Sequence, residues 1–272
     1  MTSSIEDKII FLLYHEMDNK SQPPSVDSAD DLSVVVSEND FREQLSYMQA
    51  NQFNILTVEN ALGGSPNIKQ DRKNVVITFD DGKLSDWSIA TKALIDFNFS
   101  AMFYIVSGKV DNDETYVTSD NLREMHSNGM EIGSHSVTHR FLPLLSEKEI
   151  VNELKDSKAQ LEDIIGAAVK HFALPGGHGS KRIRDLAKEC GYESIASCEI
   201  GTLKKGNDQF KIPRLEIRRN LGIDEFGQTF LDKEIKRLAR IENAKSLLRR
   251  TLGLRNYTKL RQIAHSIFEI KR

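Results

Sequence analysis

Short apolar runs alternate with helical patterns along most of the chain. Between the runs, apolar residues recur at helical spacing, as in Phe41, Leu45 and Met48. The runs predict buried strands at 9–15, 53–58, 75–79, 101–106, 130–134, 171–174, 192–197 and 211–217. About eight strands separated by helices predict parallel strands joined by helical crossovers. We therefore expect an α/β fold, a distorted parallel (β/α) barrel of about seven to eight strands, with an open doubly wound sheet as the alternative.

Capping signals set the expected helix ends. Ser37 offers an N-cap, and Ser146 with Glu149 forms a capping-box pattern. Ser85 or Asp86 is the expected start of a helix whose inner face carries Trp87, Ala90, Leu94 and Phe97. Glycines that are expected to end helices follow three of these patterns, at Gly129, Gly166 and Gly191. From residue 224 onward the pattern is helical, with an interruption near 253–256.

Composition excludes some classes of protein. With 272 residues, 39% of them hydrophobic and 28% charged, the chain can bury a sizeable core and is not a disordered chain. The net charge of −3 hides an asymmetry, because residues 232–272 hold 12 Lys/Arg against 4 Asp/Glu. The remainder is acidic, and nothing favours a nucleic-acid partner. We expect a barrel at 1–231 and a basic helical C-terminal extension at 232–272.

The basic extension carries Arg249, Arg250, Arg255, Lys259 and Arg261 among leucines and isoleucines. Such a helix can pack on the barrel, pack on a partner subunit, or make peripheral contact with an anionic membrane. The apolar run at 9–14 is too short for a signal-peptide core or a membrane span. We expect a cytoplasmic protein, with the inner face of the membrane as a second position; the oligomeric state is left open. Cys190 and Cys198 are too few for a disulfide framework and are expected to be buried, inert thiols.

Two adjacent carboxylates follow the strand at 75–79. Asp80 and Asp81, followed by Gly82, stand where a parallel strand meets its loop, and sites are built at that edge of β/α folds. One carboxylate can bind a metal ion while its neighbour handles a proton. The alternative is a turn that caps a helix.

A pair of histidines follows the strand at 130–134. Neutral imidazole is the commonest metal ligand, and His135 and His139 are four residues apart, although two surface histidines are the alternative. Together with Asp81 they would form a two-His, one-Asp site for zinc or another divalent metal ion that activates water. Asp80 would then be the general base beside it.

Three segments resemble the first three motifs of the polysaccharide deacetylases, the NodB-like group also called carbohydrate esterase family four. They are 78–82 (TFDDG), 135–139 (HSVTH) and 172–177 (FALPGG), and the resemblance covers about residues 8–225. It implies a distorted barrel and metal-dependent hydrolysis of an N-acetyl group on an amino sugar. It also implies Asp81, His135 and His139 as ligands of one divalent ion, zinc first with cobalt or nickel as alternatives, and Asp80 as the base.

The third motif departs from the common pattern. Ala173 stands where many members have an arginine, and Gly176 where an aromatic residue is frequent. The Gly176 N–H can still serve as an oxyanion donor, since that role needs no side chain. The alanine variant resembles the branch that acts on exopolysaccharides such as poly-N-acetylglucosamine. That branch also has a Tyr-His pair after its first strand, matched by Tyr14 and His15.

The resemblance to this branch suggests the remaining roles. No late Leu-x-His motif is present, so His15 is the candidate general acid, with a structural histidine as the alternative. Arg214 would pair with Asp80 and keep it ionised in place of the missing arginine, unless it is a surface arginine. His178 lies in a glycine-rich loop and would contact substrate or replace His15 as the acid, with an exposed loop histidine as the alternative.

The expected function is removal of an N-acetyl or N-formyl group from an amino sugar. The substrate would be a surface glycan or its nucleotide- or lipid-linked precursor. Two alternatives remain open. One is a non-catalytic glycan-binding protein on the same scaffold, and the other is an O-acetyl esterase.

Overall fold

A computed structural model describes residues 8–26, 28–63, 68–204 and 206–244. Its strands are β1 (Lys8–Tyr14), β2 (Met17–Asp18), β3 (Val36–Ser37), β4 (Asn54–Ile55), β5 (Asn74–Asp81), β6 (Met102–Ile105), β7 (Glu131–Ser134), β8 (His171–Ala173), β9 (Ser194–Ala196), β10 (Leu203–Lys204) and β11 (Leu215–Glu216). Its helices are α1 (Ala29–Leu32), α2 (Glu38–Ala50), α3 (Val58–Leu62), α4 (Lys92–Asp96), α5 (Ser119–Ser127), α6 (Glu147–Ile165), α7 (Lys181–Glu189), α8 (Ile223–Thr229) and α9 (232–244).

Six strands form the parallel body of the sheet, in the order β1-β5-β6-β7-β8-β9. Strand β4 adds to one edge of β5, and β10 pairs antiparallel with β1. Segment 212–216 closes the curve: Ile212 bridges to Ala196 of β9, and β11 pairs with β1 at Leu12 and Leu13. The six parallel strands and segment 212–216 therefore form a sheet of seven positions that curls back on itself. This arrangement confirms the predicted distorted (β/α) barrel over the open doubly wound sheet.

Alternation along the strands separates two apolar clusters. One cluster fills the barrel and includes Phe11, Val76 and Met102, whereas their neighbours Leu12, Ile77 and Phe103 pack outward against the helices. Side chains two residues apart on a strand share a face. Asp80 therefore lies on the same inward face as Val76, at the end of the barrel where the strands finish. The apolar side chains inside the barrel pack below Asp80 and fix the positions of the strand ends.

The structure corrects several predicted elements. The run at 53–58 yields only the two-residue β4 because α3 begins at Val58, and the run at 211–217 yields a single 3₁₀ turn (Gln209–Lys211) and β11. The helix expected from Ser85 or Asp86 starts with a π-helical turn at Asp86–Thr91 that has no side-chain cap. The Ser85 hydroxyl instead accepts the Met17 N–H. Trp87, expected to be inward, is only partly buried, and its indole N–H reaches Glu124.

Other predicted boundaries are confirmed. Ser37 caps α2, Ser146 and Glu149 form the capping box of α6, and Gly166 ends α6 with a φ of +67°. Both cysteines are free but half-buried, which corrects the expectation of buried thiols.

The beginning of the basic extension lies within the described residues. Helix α9 spans 232–244, and its Ile235 joins the outer apolar cluster of the barrel. The division at 231/232 stays a prediction. The interruption near 253–256 lies outside the described residues, as do the basic residues singled out above, Arg249, Arg250, Arg255, Lys259 and Arg261. Within the described ranges, no helix has both the length and the apolar character to span a bilayer.

Candidate active site

Strand β5 ends in the two adjacent carboxylates. Asp80 is 2% exposed and continues the inward face of the strand. Asp81 has a φ of +83°, a left-handed conformation that is costly for a residue with a Cβ, and Gly82 follows at +78°. Normal strand alternation would send the two side chains to opposite faces, but at Asp81 the backbone turns. Both carboxylates consequently face the same group of histidines.

Asp81, His135 and His139 converge at the end of the barrel. The Asp81 Oδ1 lies 3.3 Å from the His139 Nε2 and 3.6 Å from the His135 Nε2. One ligand atom from each of the three residues lies within 4.8 Å of the others. The structure thus brings together the three side chains that the sequence proposed as metal ligands.

The chemistry of this donor set fits a divalent metal ion. His135 is buried, and its Nδ1 lies 2.9 Å from the carbonyl oxygen of Ala173. A carbonyl can only accept, so Nδ1 carries the proton and Nε2 presents its lone pair toward Asp81. Burial lowers the pKa of His135, which favours the neutral imidazole that binds metals. One carboxylate and two imidazole nitrogens match zinc and related ions.

Asp80 forms a buried ion pair with Arg214. Both guanidinium Nη atoms lie 2.7 Å from the two carboxylate oxygens, and both side chains are shielded from solvent. Burial alone would raise the pKa of Asp80, but the charge of Arg214 and its hydrogen bonds outweigh the effect of burial and lower that pKa to about 2. Asp80 is therefore ionised at neutral pH. The pairing is the one that the resemblance implied.

Arg214 is held from several sides. Its Nε donates to the carbonyl oxygen of Ser197, and Nη1 lies 3.3 Å from the Thr78 hydroxyl. The Tyr104 ring lies 5.6 Å from its guanidinium carbon. Sequence reasoning missed Ser197 and Tyr104 as supports. Thr78 shares the inward face of Asp80 and could have been found from strand alternation, but no sequence signal marks the Ser197 carbonyl.

A cavity of about 1900 Å³ opens beside these groups. Its lining includes the remaining sequence-predicted residues, His15, Gly176 and His178, together with Asp80 and Arg214. The His15 Nδ1 is buried and has no hydrogen-bond partner among the described residues. Because His15 lines the cavity, it lies where it can meet a ligand.

Gly176 and His178 lie on the exposed rim of this cavity. Gly176 has a φ of +69°, a conformation that favours glycine, and its carbonyl oxygen lies 2.6 Å from the His178 Nδ1. His178 is exposed. The structure places both beside the cavity, while their roles stay predictions.

Comparison with known proteins agrees with this geometry. Residues 67–195 match the family model described as polysaccharide deacetylase. YxkH of Bacillus subtilis, whose name assigns it to the polysaccharide deacetylases, is 24% identical over 221 residues, 81% of this chain and 75% of that protein. The poly-beta-1,6-N-acetyl-D-glucosamine N-deacetylase of Staphylococcus aureus is 23% identical over 197 residues, which cover 67% of each chain.

A solved structure shares the fold. The Streptococcus pyogenes deacetylase PplD in complex with acetate has a TM-score of 0.73 and 23% identity, covering 82% of this chain and 98% of that one. The motifs, the curled barrel and these matches agree: over residues 67–195, and more distantly over most of its length, the chain is similar to the polysaccharide deacetylases.

Proposed function

We propose that this protein hydrolyses the N-acetyl or N-formyl amide of an amino sugar in a surface glycan or its nucleotide- or lipid-linked precursor. The observation that carries the proposal is the buried Asp80–Arg214 pair beside the Asp81, His135 and His139 cluster. In this arrangement, a proton acceptor of fixed orientation and a set of metal ligands lie beside the same cavity. The family relationship supports hydrolytic deacetylation of glycans at the coarser level.

A divalent ion would be held by Asp81, His135 and His139. When bound, it would polarise the acyl carbonyl and make a water molecule more acidic. Zinc is our first choice, with cobalt or nickel as alternatives, because the donors are one carboxylate oxygen and two imidazole nitrogens. The Nδ1–H of His135 donates to the Ala173 carbonyl oxygen, and this hydrogen bond keeps the ring oriented.

Asp80 would accept the proton of the attacking water. The bidentate contact with Arg214 fixes both carboxylate oxygens, so the acceptor needs no reorientation during the reaction. With a pKa of about 2, Asp80 is a weak base, so this role requires a water molecule of increased acidity, which a bound ion would supply.

The departing amine needs a proton, since an amine anion is a very poor leaving group. We assign this step to His15, whose buried Nδ1 lacks a partner among the described residues and whose ring lines the same cavity. His178 is the replacement, although its Nδ1 is already close to the Gly176 carbonyl. The Gly176 N–H would donate to the oxyanion formed from the acyl carbonyl.

Two other functions make different demands on the site. A glycan-binding protein has no use for Asp80 and Asp81 together with two histidines, so the complete set favours an enzyme. An O-acetyl esterase would need no strong acid, because an alkoxide leaves more easily than an amine anion. The relative rates on matched amide and ester substrates separate this function from amide hydrolysis.

The first experiment measures acetate and formate release from acylated amino sugars. Free, oligomeric, nucleotide-linked and lipid-linked forms are tested with metal-stripped protein, with and without added zinc or cobalt. We expect metal-dependent release that falls by about 10²–10⁴-fold in Asp80→Asn. The control is Asp120→Asn, since the Asp120 side chain is 93% exposed and lies on α5. Release without metal, or unchanged release in Asp80→Asn, would contradict the proposal.

Position in the cell is a separate proposal. A cytoplasmic enzyme, at the inner face of the membrane when its basic extension contacts lipid, would meet precursors before export. Fractionation of the producing cells tests this, and recovery outside the cytoplasm would contradict it. The proposed hydrolytic activity does not depend on the result of this fractionation.

A further inference from the structure

Glu153 of helix α6 contacts the loop between the two histidine ligands. Its Oε2 accepts the N–H groups of Val137 and Thr138 at 2.8 and 2.9 Å, and its Oε1 accepts the Thr138 hydroxyl at 2.5 Å. The residue is 6% exposed. One buried side chain thus binds two of the three residues that join His135 to His139.

The conformation of this loop explains why it needs support. Ser136 and His139 have φ values of +66° and +58°, each costly for a residue with a side chain. The Ser136 hydroxyl accepts the His139 N–H, which closes a tight local turn. Residues in such conformations persist only where surrounding contacts hold them. The Glu153 carboxylate provides three of those contacts.

The opposite side of the loop is held by a 3₁₀ turn at Ser107–Lys109. The N–H groups of Ser107 and Gly108 donate to the carbonyl oxygens of Ser136 and Val137. A Cβ at Gly108 would lie 2.6 Å from the Val137 oxygen, so this approach requires glycine. The loop is therefore clamped between this turn and α6, and Glu153 is the charged member of the clamp.

Among the described residues, no lysine, arginine or histidine forms an ion pair with Glu153, in contrast to Glu162 on the same helix, which pairs with Lys158. A buried carboxylate without a cation is expensive to maintain. A hydrophobic residue would fill the same place at lower cost if only packing were required. The carboxylate instead satisfies two backbone donors and one hydroxyl donor of the loop in one particular geometry.

We propose that Glu153 is a positioning residue that sets the His139 side chain for metal binding. This inference rests on the proposed metal site. Partners of ligand-bearing segments outside the ligand set commonly change metal affinity by 10–100-fold when they are removed. Glu153 would act by holding the backbone of 136–139 in the left-handed turns that direct His139 toward Asp81.

The test measures metal affinity rather than turnover. Metal-stripped wild type, Glu153→Gln and Glu162→Gln are titrated with zinc against a competing chelator and with cobalt by absorption spectroscopy. We expect affinity to fall by about 10–100-fold in Glu153→Gln, with an altered cobalt spectrum. We expect wild-type affinity in Glu162→Gln, because Glu162 contacts Lys158 and the Val169 N–H instead of the loop. Thermal melting without metal reports any general loss of stability.

Each outcome of these titrations tests a different claim. Glu153→Gln with a metal affinity within about twofold of wild type would overturn the positioning role. If Glu153→Gln fails to fold, Glu153→Asp draws the carboxylate back from the Val137 and Thr138 N–H groups by one methylene, and unchanged metal affinity there would overturn the role as well. Wild-type protein that binds neither ion would overturn the metal site itself, whereas acyl release is measured separately and tests the proposed function.

Discussion

The candidate site has a buried half and an exposed half. In the buried half, the side chains of Asp80, His135 and Arg214 are 3%, 2% and 0% exposed. In the exposed half, those of Asp81 and His139 are 23% and 46% exposed. In the buried half, Asp80 and Arg214 neutralise each other and the His135 Nδ1–H is bonded to the Ala173 carbonyl oxygen, so the His135 Nε2 is the atom left for an ion. The exposed half presents a carboxylate and an imidazole toward the cavity, so it is where an incoming ion or substrate finds free ligand atoms.

The two halves are also built differently. Asp80 takes its place from the inward alternation of β5, and His135 directly follows β7 and is held by the β8 carbonyl of Ala173. Asp81 and His139 instead depend on left-handed backbone conformations. We therefore expect changes in the buried half to reduce stability as well as activity. Changes in the exposed half should affect ligand binding with little effect on folding.

The largest expected effect comes from Arg214→Met. The variant leaves Asp80 buried without its partner, and we expect the free energy of unfolding to fall by about 3–5 kcal/mol. In wild type, the folded pKa of about 2 lies below the unfolded value near 3.8, so this stabilisation is present above about pH 4 and is lost as pH falls toward 2. In the variant, the Asp80 pKa rises and that acid-dependent loss disappears. Urea unfolding at several pH values measures both effects, and a loss below about 1 kcal/mol would contradict the buried pair.

The next effect distinguishes amide from ester hydrolysis. His15→Ala should lower the rate on N-acetyl substrates by about 100-fold or more, because it removes the proton needed by the amine. The rate on matched O-acetyl substrates should change far less, since their leaving group needs less assistance. Parallel kcat measurements on the two substrates check this. Equal loss on both would assign His15 to substrate binding or structure.

A smaller effect separates His135 from His139, the two histidine ligands. His135→Ala leaves the buried Ala173 carbonyl without its donor, and we expect a stability loss of about 1–3 kcal/mol in metal-free protein. His139→Ala should change metal-free stability by only about 0.5 kcal/mol because its side chain is largely solvated. Both should weaken zinc binding. Denaturant unfolding with a chelator present makes the comparison, and equal stability losses would contradict the two-halves distinction.

The smallest effect is expected at the rim. His178→Ala should change amide turnover by less than about threefold, which corresponds to under 1 kcal/mol. The ring is exposed, and its Nδ1 is already directed to its own loop. Turnover and KM on the amide substrate are the measurements. A large loss confined to amides would transfer the acid role from His15 to His178.

Much of the fold was accessible from the pattern of residues. The strand–helix alternation predicted the barrel, and local signals predicted the caps at Ser37 and Ser146, because these depend on neighbouring residues alone. The π-helical start at Asp86 was missed. There the Ser85 hydroxyl binds Met17, a partner 68 residues away, in place of its own helix. A long-range contact of this kind leaves no mark on local periodicity.

The candidate site, like the fold, was predictable from the sequence only in part. Residue chemistry and motif spacing proposed Asp80, Asp81, His135 and His139, and the structure brings them together. Position 173 drew attention in the sequence because an alanine stands where many deacetylases have an arginine. In the structure, Ala173 contributes its backbone carbonyl oxygen, which any residue would supply. Glu153 was not singled out, since a glutamate within a helical pattern reads as a solvent-exposed residue. Its contact with Val137 and Thr138 arises from the way that α6 packs beside the loop.

The sequence by itself determined which chemical groups are available and which strands carry them, since hydrophobic alternation and local capping act over a few residues. Only the tertiary structure decided which of those groups is buried, charged and paired. Arg214 lies 134 residues from Asp80 and reaches it because segment 212–216 closes the barrel between β9 and β1. Ion pairing, burial and backbone strain depend on atoms that meet only after folding. These contacts set the pKa of Asp80 and the direction of His139.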